Sequence, residues 1–178
     1  MIPLASPAPD FKLTNVVSNQ TVNLADVRGE KATVVMFICN HCPYVKHINP
    51  ELTRIANDYK TKGVGFVAIN SNDIVAEPED APEEMAKVAE ELKYPFPYLF
   101  DSTQQVAKDY DAACTPDFFV FDKSMKLAYR GQLDDSRPSN NIPLSGNDLR
   151  QAIDALLADK QVSPRQRPSI GCNIKWKA

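Results

Sequence analysis

The fold of this chain is decided by one stretch, residues 35–45, with the sequence Val35-Met36-Phe37-Ile38-Cys39-Asn40-His41-Cys42-Pro43-Tyr44-Val45. Its first half belongs to an apolar, β-branched run that begins at Thr33, and such a run predicts a central strand covered on both faces. Pro43 stands where the first helical residue is expected, because the missing N–H of proline costs nothing there. Apolar residues at helical spacing then continue to about Tyr59, and Gly63 ends the helix.

Cys42 is the residue of this stretch that most clearly indicates chemistry. A thiol at the start of a helix faces unpaired N–H groups and the positive end of the helix dipole. Both stabilise a thiolate, so the pKa of Cys42 is expected to lie below the free-thiol value of about 8.5. The thiolate is the species that attacks disulfides and peroxides. Cys42 is therefore the predicted nucleophile, with an inert buried thiol as the alternative, and His41 beside it can add positive charge.

On either side of this stretch, strands and helices alternate along the chain. Further strands are predicted at residues 11–14, 21–24, 64–69, 98–100, 118–121 and 127–130, and further helices at 25–29, 83–92, 104–110 and 148–158. Alternating strands and helices imply parallel crossovers, and the closing strand pair and helix add an antiparallel edge. The fold class is therefore α/β, with a central mixed sheet flanked by helices.

The composition of the chain argues against nucleic-acid binding and against a membrane-spanning protein. The chain has 178 residues, 43% hydrophobic and 24% charged, with a net charge of −3, which suits one domain and gives no indication of nucleic-acid binding. No apolar run is long enough to span a bilayer, and the N-terminus lacks the pattern of a signal peptide. A leader removed before residue 1 stays open, but the cytoplasm is favoured. In that compartment Cys-x-x-Cys spacing indicates metal or redox chemistry.

Two segments differ from the rest in charge. Residues 77–91 hold seven acidic residues and one lysine, and we interpret them as a solvated helix face. Residues 161–178 form a basic tail after a domain that spans residues 1–160. Apolar residues alternate with polar ones near the end of this tail, which predicts an extended segment packed on the domain.

Residues 35–45 resemble the strand-loop-helix of thioredoxins, and the resemblance covers about residues 5–158. Cys42 falls on the nucleophilic cysteine of that family and Pro50 on the proline that kinks its active-site helix. Thr115-Pro116 falls on the loop whose cis-proline faces the nucleophile and whose backbone contacts the substrate.

Two further groups of residues refine the resemblance. Residues 8–11 and 24–29 are similar to the N-terminal hairpin of the alkyl hydroperoxide reductase and thiol-specific antioxidant (AhpC/TSA), peroxiredoxin-type branch. Residues 40–45, 114–117 and 171–176 further resemble an uncharacterised peroxiredoxin-like group. The resemblance implies a thioredoxin-like fold with a peroxiredoxin-type hairpin and a C-terminal extension.

The resemblance also implies thiol-based redox chemistry. It makes Cys42 catalytic, predicts a cis Thr115–Pro116 bond, and places His41 and Pro43 with Thr115 and Pro116 as substrate-binding residues. The expected partner is a thiol or disulfide, carried by a protein or a small molecule, and neither a cofactor nor a metal is required. Nucleic acid and membranes are not expected partners, and the substrate, the reductant and the oligomeric state stay open.

Two departures from the family patterns matter. Val45 stands where thioredoxins have their second cysteine and where peroxiredoxins have their peroxidatic cysteine. Peroxiredoxins also place a threonine three residues and a proline seven residues before that cysteine. Counted back from Cys42, these positions hold Cys39 and Val35. Ordinary peroxidase activity is therefore not expected.

Three other cysteines are candidate partners of Cys42. Cys114 ranks first and is taken as a second catalytic cysteine, because its loop is expected against the start of the Cys42 helix. Cys172 is the second candidate as a resolving cysteine, since the tail would have to fold back. Cys39 ranks last, because three residues of strand span about 10 Å, too far for a disulfide unless the chain turns sharply. We interpret it as a small buried residue of the core. A Cys42 without an internal partner is the alternative.

A non-enzymatic module that binds a metal or a protein partner is the rival function. His41 and His47, with Cys39 and Cys42, could supply zinc or copper ligands. His47 is more than a helical turn beyond Cys42 and rotated off its face, so a metal site is disfavoured.

Overall fold

A computed structural model describes residues 2–178. Its strands are β1 (Lys12–Asn15), β2 (Thr21–Asn23), β3 (Ala32–Phe37), β4 (Val64–Asn70), β5 (Tyr98–Phe100), β6 (Cys114–Thr115), β7 (Asp117–Asp122), β8 (Leu127–Gly131) and β9 (Cys172–Asn173). Its α-helices are α1 (Leu24–Val27), α2 (Pro43–Tyr59), α3 (Pro82–Glu91), α4 (Gln105–Asp109) and α5 (Asn147–Leu157). The main sheet has seven strands in the order β2-β1-β5-β4-β3-β7-β8. This is the mixed, thioredoxin-like α/β fold that the sequence predicts.

Strand β3 forms the centre of the sheet. It pairs in parallel with β4 and antiparallel with β7, and all six of its residues are buried, as its apolar run predicts. Its side chains alternate between two apolar layers. Val34 and Met36 join the layer that contains buried residues of α2, α3 and α5, whereas Val35 and Phe37 join the layer of α1 and α4.

Helix α2 begins and ends where the sequence predicts. Pro43 is its first residue, Pro50 lies inside it, and Val45, Ile48 and Leu52 belong to its buried face. Because α2 packs against the sheet through that face, its N-terminus is held at the end of β3. The residue just before the helix, Cys42, is thereby fixed at this edge of the sheet.

A second, two-stranded sheet lies beside the start of α2. Its strands, β6 and β9, pair antiparallel, with Thr115 opposite Cys172 and Cys114 opposite Asn173. The sequence analysis predicts an extended tail packed on the domain but assigns no strand to either segment. Residues 169–177, here called the C-terminal strap, contain β9 and cross the domain at this point.

None of the helices described over residues 2–178 combines the length and apolar composition that a membrane crossing requires.

Candidate active site

Cys42 lies at the junction of the strand and the helix, with its side chain fully buried. Its backbone carbonyl accepts the first helical hydrogen bonds, including one from the Lys46 amide at 3.0 Å. Its thiol lies 3.4 Å from the carbonyl oxygen of Thr115, to which it can donate. The side chain has no exposed surface, so a substrate reaches the sulfur only if a neighbouring segment moves.

The Thr115–Pro116 bond is cis, which confirms the prediction. Strand β6 lies against the start of α2, where the carbonyl oxygen of Thr115 contacts the Cys42 thiol. Pro43 is exposed at the helix start, and Tyr44 lines a small cleft together with Pro116. The predicted substrate-binding residues Pro43, Thr115 and Pro116 thus surround the position of the nucleophile.

Cys39 is closer to Cys42 than the strand argument predicts. Strand β3 ends at Phe37, and the chain bends at residues 40–41, so the predicted separation of about 10 Å does not hold. The buried Cys39 thiol hydrogen-bonds to Cys42 and also lies 3.2 Å from the Thr115 hydroxyl. Cys39 is therefore part of the site rather than a residue that only fills the core.

The hydrogen bond from Cys39 is the largest effect that lowers the pKa of Cys42 below its ordinary value. Burial opposes it, but the Cys172 thiol and the Val45 amide in the first helical turn lower that pKa further. The pKa of Cys39 is raised, because of its bond to Cys42, its burial and the negative charge of Asp80. Of the two thiols, Cys42 is therefore the more acidic, and Cys39 holds its proton more strongly.

Cys172, not Cys114, is the cysteine in contact with the nucleophile. The C-terminal strap brings its sulfur to 2.8 Å from the sulfur of Cys42. A short approach suffices to close a disulfide, whose S–S bond measures about 2.05 Å. The pKa of Cys172 is raised by burial and by its hydrogen bond to Cys42, so Cys42 is the more acidic of the two thiols.

The predicted ranking of Cys114 above Cys172 is therefore reversed in the structure. The sulfur of Cys114 lies 3.6 Å from the carbonyl oxygen of Pro116 and 3.9 Å from that of Ser169. The reason is the alternation of side chains along a strand: the Thr115 hydroxyl faces the site, so its neighbour points to the other side. Burial raises the pKa of Cys114 to about 12, which makes it a poor nucleophile at neutral pH.

His41 lies on the loop before Cys42 and is held by two carboxylates. Its Nδ1 is 2.5 Å from Oδ2 of Asp80, and its Nε2 is 3.7 Å from the Glu77 carboxylate. The other oxygen of Asp80 accepts the Asn40 amide at 2.6 Å, and Oδ2 also accepts the Asn72 side-chain amide at 2.9 Å. Asp80 therefore fixes both residues that precede the nucleophile.

The interpretation of residues 77–91 as a solvated face is wrong for Asp80, which is fully buried. Residues 78–80 form a short 3-10 turn that precedes α3, and this turn carries the carboxylate into the domain. Asn72 extends the contact, since its side-chain oxygen accepts the Lys175 amide of the C-terminal strap at 2.9 Å. Charge pattern alone marks such an aspartate only as one of several surface acids.

The described residues also allow a three-ligand cluster. The ligand atoms of Cys39, His41 and Asp80 all lie within 4.8 Å of one another. Two of them, the imidazole and the carboxylate, are already hydrogen-bonded to each other. The second histidine of the predicted metal set, His47, instead lies 2.7 Å from the Ser136 hydroxyl. The ligand set that the sequence suggests is therefore not assembled.

A model of the AhpC/TSA family matches residues 4–130 of the chain. This protein belongs to the AhpC/TSA family. The crystal structure of an uncharacterised conserved protein from Geobacillus kaustophilus is 64% identical, with a TM-score of 0.98 over 99% of this chain and 94% of that one. A hypothetical protein from Sinorhizobium meliloti 1021 is 47% identical, with a TM-score of 0.97 over 100% of this chain and 97% of that one.

A more distant likeness shows the fold alone. The thioredoxin domain of a thiol-disulfide oxidoreductase from Bacteroides vulgatus is 21% identical, with a TM-score of 0.62 over 73% of this chain and 89% of that one. Among curated proteins, no sequence matches this chain significantly.

The AhpC/TSA match stops at residue 130, so the C-terminal strap and Cys172 lie beyond it. The Geobacillus and Sinorhizobium structures, in contrast, align over nearly the whole chain. Val45, which the sequence analysis aligns with the family cysteine, is fully buried in the first turn of α2. The two sulfurs that the structure brings together are those of Cys42, one turn earlier, and of Cys172 from beyond the matched region.

Proposed function

We propose that this protein is a two-cysteine thiol-disulfide oxidoreductase in which Cys42 is the nucleophile and Cys172 the resolving cysteine. The observation that carries the proposal is the 2.8 Å separation of the two sulfurs at the start of α2. The lowered pKa of Cys42 and the raised pKa of Cys172 support the same division of roles.

The reaction has two exchange steps. The Cys42 thiolate attacks a substrate disulfide, R–S–S–R′, which gives a Cys42–S–S–R mixed disulfide and releases R′–S⁻. Cys172 then attacks the sulfur of Cys42 in that adduct, forms the Cys42–Cys172 disulfide and releases R–S⁻. Because Cys42 enters the reaction as a thiolate, only Cys172 loses a proton, and one of the two departing thiolates takes it up. The substrate is reduced by two electrons and the cysteine pair is oxidised by two.

Oxidation by a small disulfide is expected to give a Cys42–Cys172 disulfide as the main product. The sulfurs are already in contact, whereas the sulfur of Cys114 lies against two carbonyl oxygens. Peptide mapping under non-reducing conditions identifies the pair. Cys114→Ser is the matched control and should give the same disulfide, while Cys172→Ser should accumulate the mixed disulfide on Cys42. Recovery of a Cys42–Cys114 or Cys39–Cys42 pair as the main species contradicts the assignment.

Peroxide is expected to be a poor substrate. The threonine and proline positions of the peroxiredoxin pattern hold Cys39 and Val35 here, so the groups that would bind and polarise a peroxide are missing. We expect Cys42 to react with hydrogen peroxide as an ordinary thiolate does, without saturation. Stopped-flow measurement of thiol loss against peroxide concentration checks this, with a small disulfide as the comparison oxidant. Rapid, saturable peroxide reduction sustained by a thioredoxin donor would show the opposite.

The rival function, a metal-binding module, rests on the cluster of Cys39, His41 and Asp80. The hydrogen bonds that Asp80 makes to His41, Asn40 and Asn72 satisfy its oxygens without an ion. Elemental analysis of the purified protein separates the two functions, because a metal carrier retains close to one equivalent of zinc or copper after dialysis. Stoichiometric metal in the parent that is lost in Cys39→Ala supports the rival.

A further inference from the structure

The C-terminal strap is anchored on both sides of Cys172. Before it, the Ser169 hydroxyl donates to the Gly131 carbonyl at 2.6 Å. After it, the Ile174 amide donates to the Ala113 carbonyl at 3.2 Å, and the Ile174 side chain is 3% exposed. The strap is thus a docked segment with Cys172 in its middle.

Gln104 fastens the end of the strap. Its side-chain nitrogen donates to the carbonyl oxygens of Ser71 at 2.7 Å and Lys175 at 2.8 Å, and its side-chain oxygen accepts the Lys177 amide at 2.9 Å. The residue is 2% exposed and has a left-handed backbone, with φ of 65°. All three hydrogen-bonding groups of this side-chain amide are therefore used. One N–H group donates to Ser71, and the other N–H group and the oxygen bond to the strap.

The strap also fits the cis-proline loop closely. Gly171 lies so near β6 that an added Cβ would sit 2.0 Å from the carbonyl oxygen of Thr115 and 3.1 Å from Cδ of Pro116. Only glycine permits this approach. With the strap in place Cys42 has no exposed surface, and the Cys172 sulfur occupies the position from which any other sulfur would have to meet it.

We propose that the C-terminal strap occupies the substrate position at Cys42 and that Gln104, as a positioning residue, sets how long it stays there. This inference rests on the proposed function and adds a specificity element to it. A disulfide substrate reaches Cys42 only when residues 170–173 lift away. Gln104 and Ile174 then keep the released segment nearby, so Cys172 returns to the adduct at high effective concentration.

The two exchange steps therefore place opposite demands on Gln104. A weaker hold on the strap exposes Cys42 more often, which speeds attack on the substrate. The same weaker hold lowers the effective concentration of Cys172, which slows resolution. A residue that only stabilises the fold would not change the two rates in opposite directions.

The test uses Gln104→Gly in the full chain, in a Cys114→Ser background. Glycine adopts the left-handed backbone at no steric cost, so the substitution removes the side-chain hydrogen bonds without straining the turn. The reduced protein is mixed with the aromatic disulfide 5,5′-dithiobis(2-nitrobenzoate), and each exchange step releases one coloured thiolate. We expect the first phase to become faster and the second slower, each by about tenfold, given that the two hydrogen bonds between Gln104 and the strap are lost.

Lys93→Gly is the matched control, because Lys93 is an exposed residue with φ of 53° just after α3. It should leave both phases as in the parent. Ile174→Ala, which loosens the other anchor, should reproduce the opposite-signed changes of Gln104→Gly. Unchanged phases, or two phases that slow together, overturn the proposed role of Gln104 while leaving the two-cysteine reaction intact. A parent protein that releases only one equivalent of coloured thiolate per chain overturns the proposed function itself.

Discussion

Replacing Cys42 with serine is expected to abolish disulfide exchange, lowering the rate by roughly a thousandfold or more. The site is built to stabilise a thiolate: the Cys39 thiol, the Cys172 thiol and the Val45 amide all lower the pKa of Cys42. A serine hydroxyl in the same place stays protonated at neutral pH, so none of these groups can make it a nucleophile. The measurement is steady-state reduction of a small disulfide with dithiothreitol as the electron donor.

Cys114→Ser is the control for that result. Burial holds the pKa of Cys114 near 12, and its sulfur lies against the carbonyl oxygens of Pro116 and Ser169. Its removal should leave the exchange rate within about twofold of the parent, as for most substitutions outside the reacting groups. Exchange that survives in Cys42→Ser but is lost in Cys114→Ser would move the nucleophile to β6.

The parts of the fold that could be predicted are those with long, regular patterns. The six residues of β3 form a continuous apolar run, and the spacing of Ile48, Leu52 and Ile55 gave the bounds of α2 correctly. Strands β6 and β9 have two residues each, so alternation along the tail predicts an extended segment there but neither the strands nor their pairing. The two strands form because Thr115 and Cys172, far apart in sequence, pair in the folded chain. The periodicity of a short segment does not predict such a pairing.

The residues of the site also fall into two groups, those that the local sequence indicates and those that only long-range contacts bring to the site. Cys42 could be proposed as the nucleophile from sequence because the features that indicate it are local: the strand before it and the helix after it. Asp80 and Gln104 act over 39 and 71 residues of chain, through hydrogen bonds to His41 and to Lys175. Nothing in the sequence near either residue marks such a contact, since both stand among other polar residues.

The role of Cys39 depends on both local sequence and tertiary structure. It is close to Cys42 in sequence, but the distance between the two thiols depends on where strand β3 ends. Ending β3 at Phe37 turns a pair that looked too far apart into a hydrogen-bonded one. The loss of this bond is the second large effect that we expect. Cys39→Ala should raise the pKa of Cys42 by about one pH unit, because a hydrogen bond to a charged group contributes about 1.5–3 kcal/mol and a thiol is a weak donor.

The direction of the pH dependence follows from which form reacts. Only the Cys42 thiolate is alkylated, so the rate rises with pH through the pKa and then levels off. A raised pKa moves this curve to higher pH. Below the midpoint Cys39→Ala should therefore react about tenfold more slowly than the parent. Above it the variant should match or slightly exceed the parent, because a less acidic thiol gives a more nucleophilic thiolate.

Cys39→Ser separates the hydrogen bond from the packing. Serine keeps a donor at the same position and can still bond to the Thr115 hydroxyl, whereas alanine keeps neither. The alkylation midpoint of Cys42 should therefore stay near the parent value in Cys39→Ser and rise in Cys39→Ala, with the modified residue identified by mass spectrometry. Equal alkylation midpoints in all three proteins would mean that Cys39 donates no hydrogen bond to the Cys42 thiolate and contributes only packing. The acidity of Cys42 would then come from the helix N-terminus.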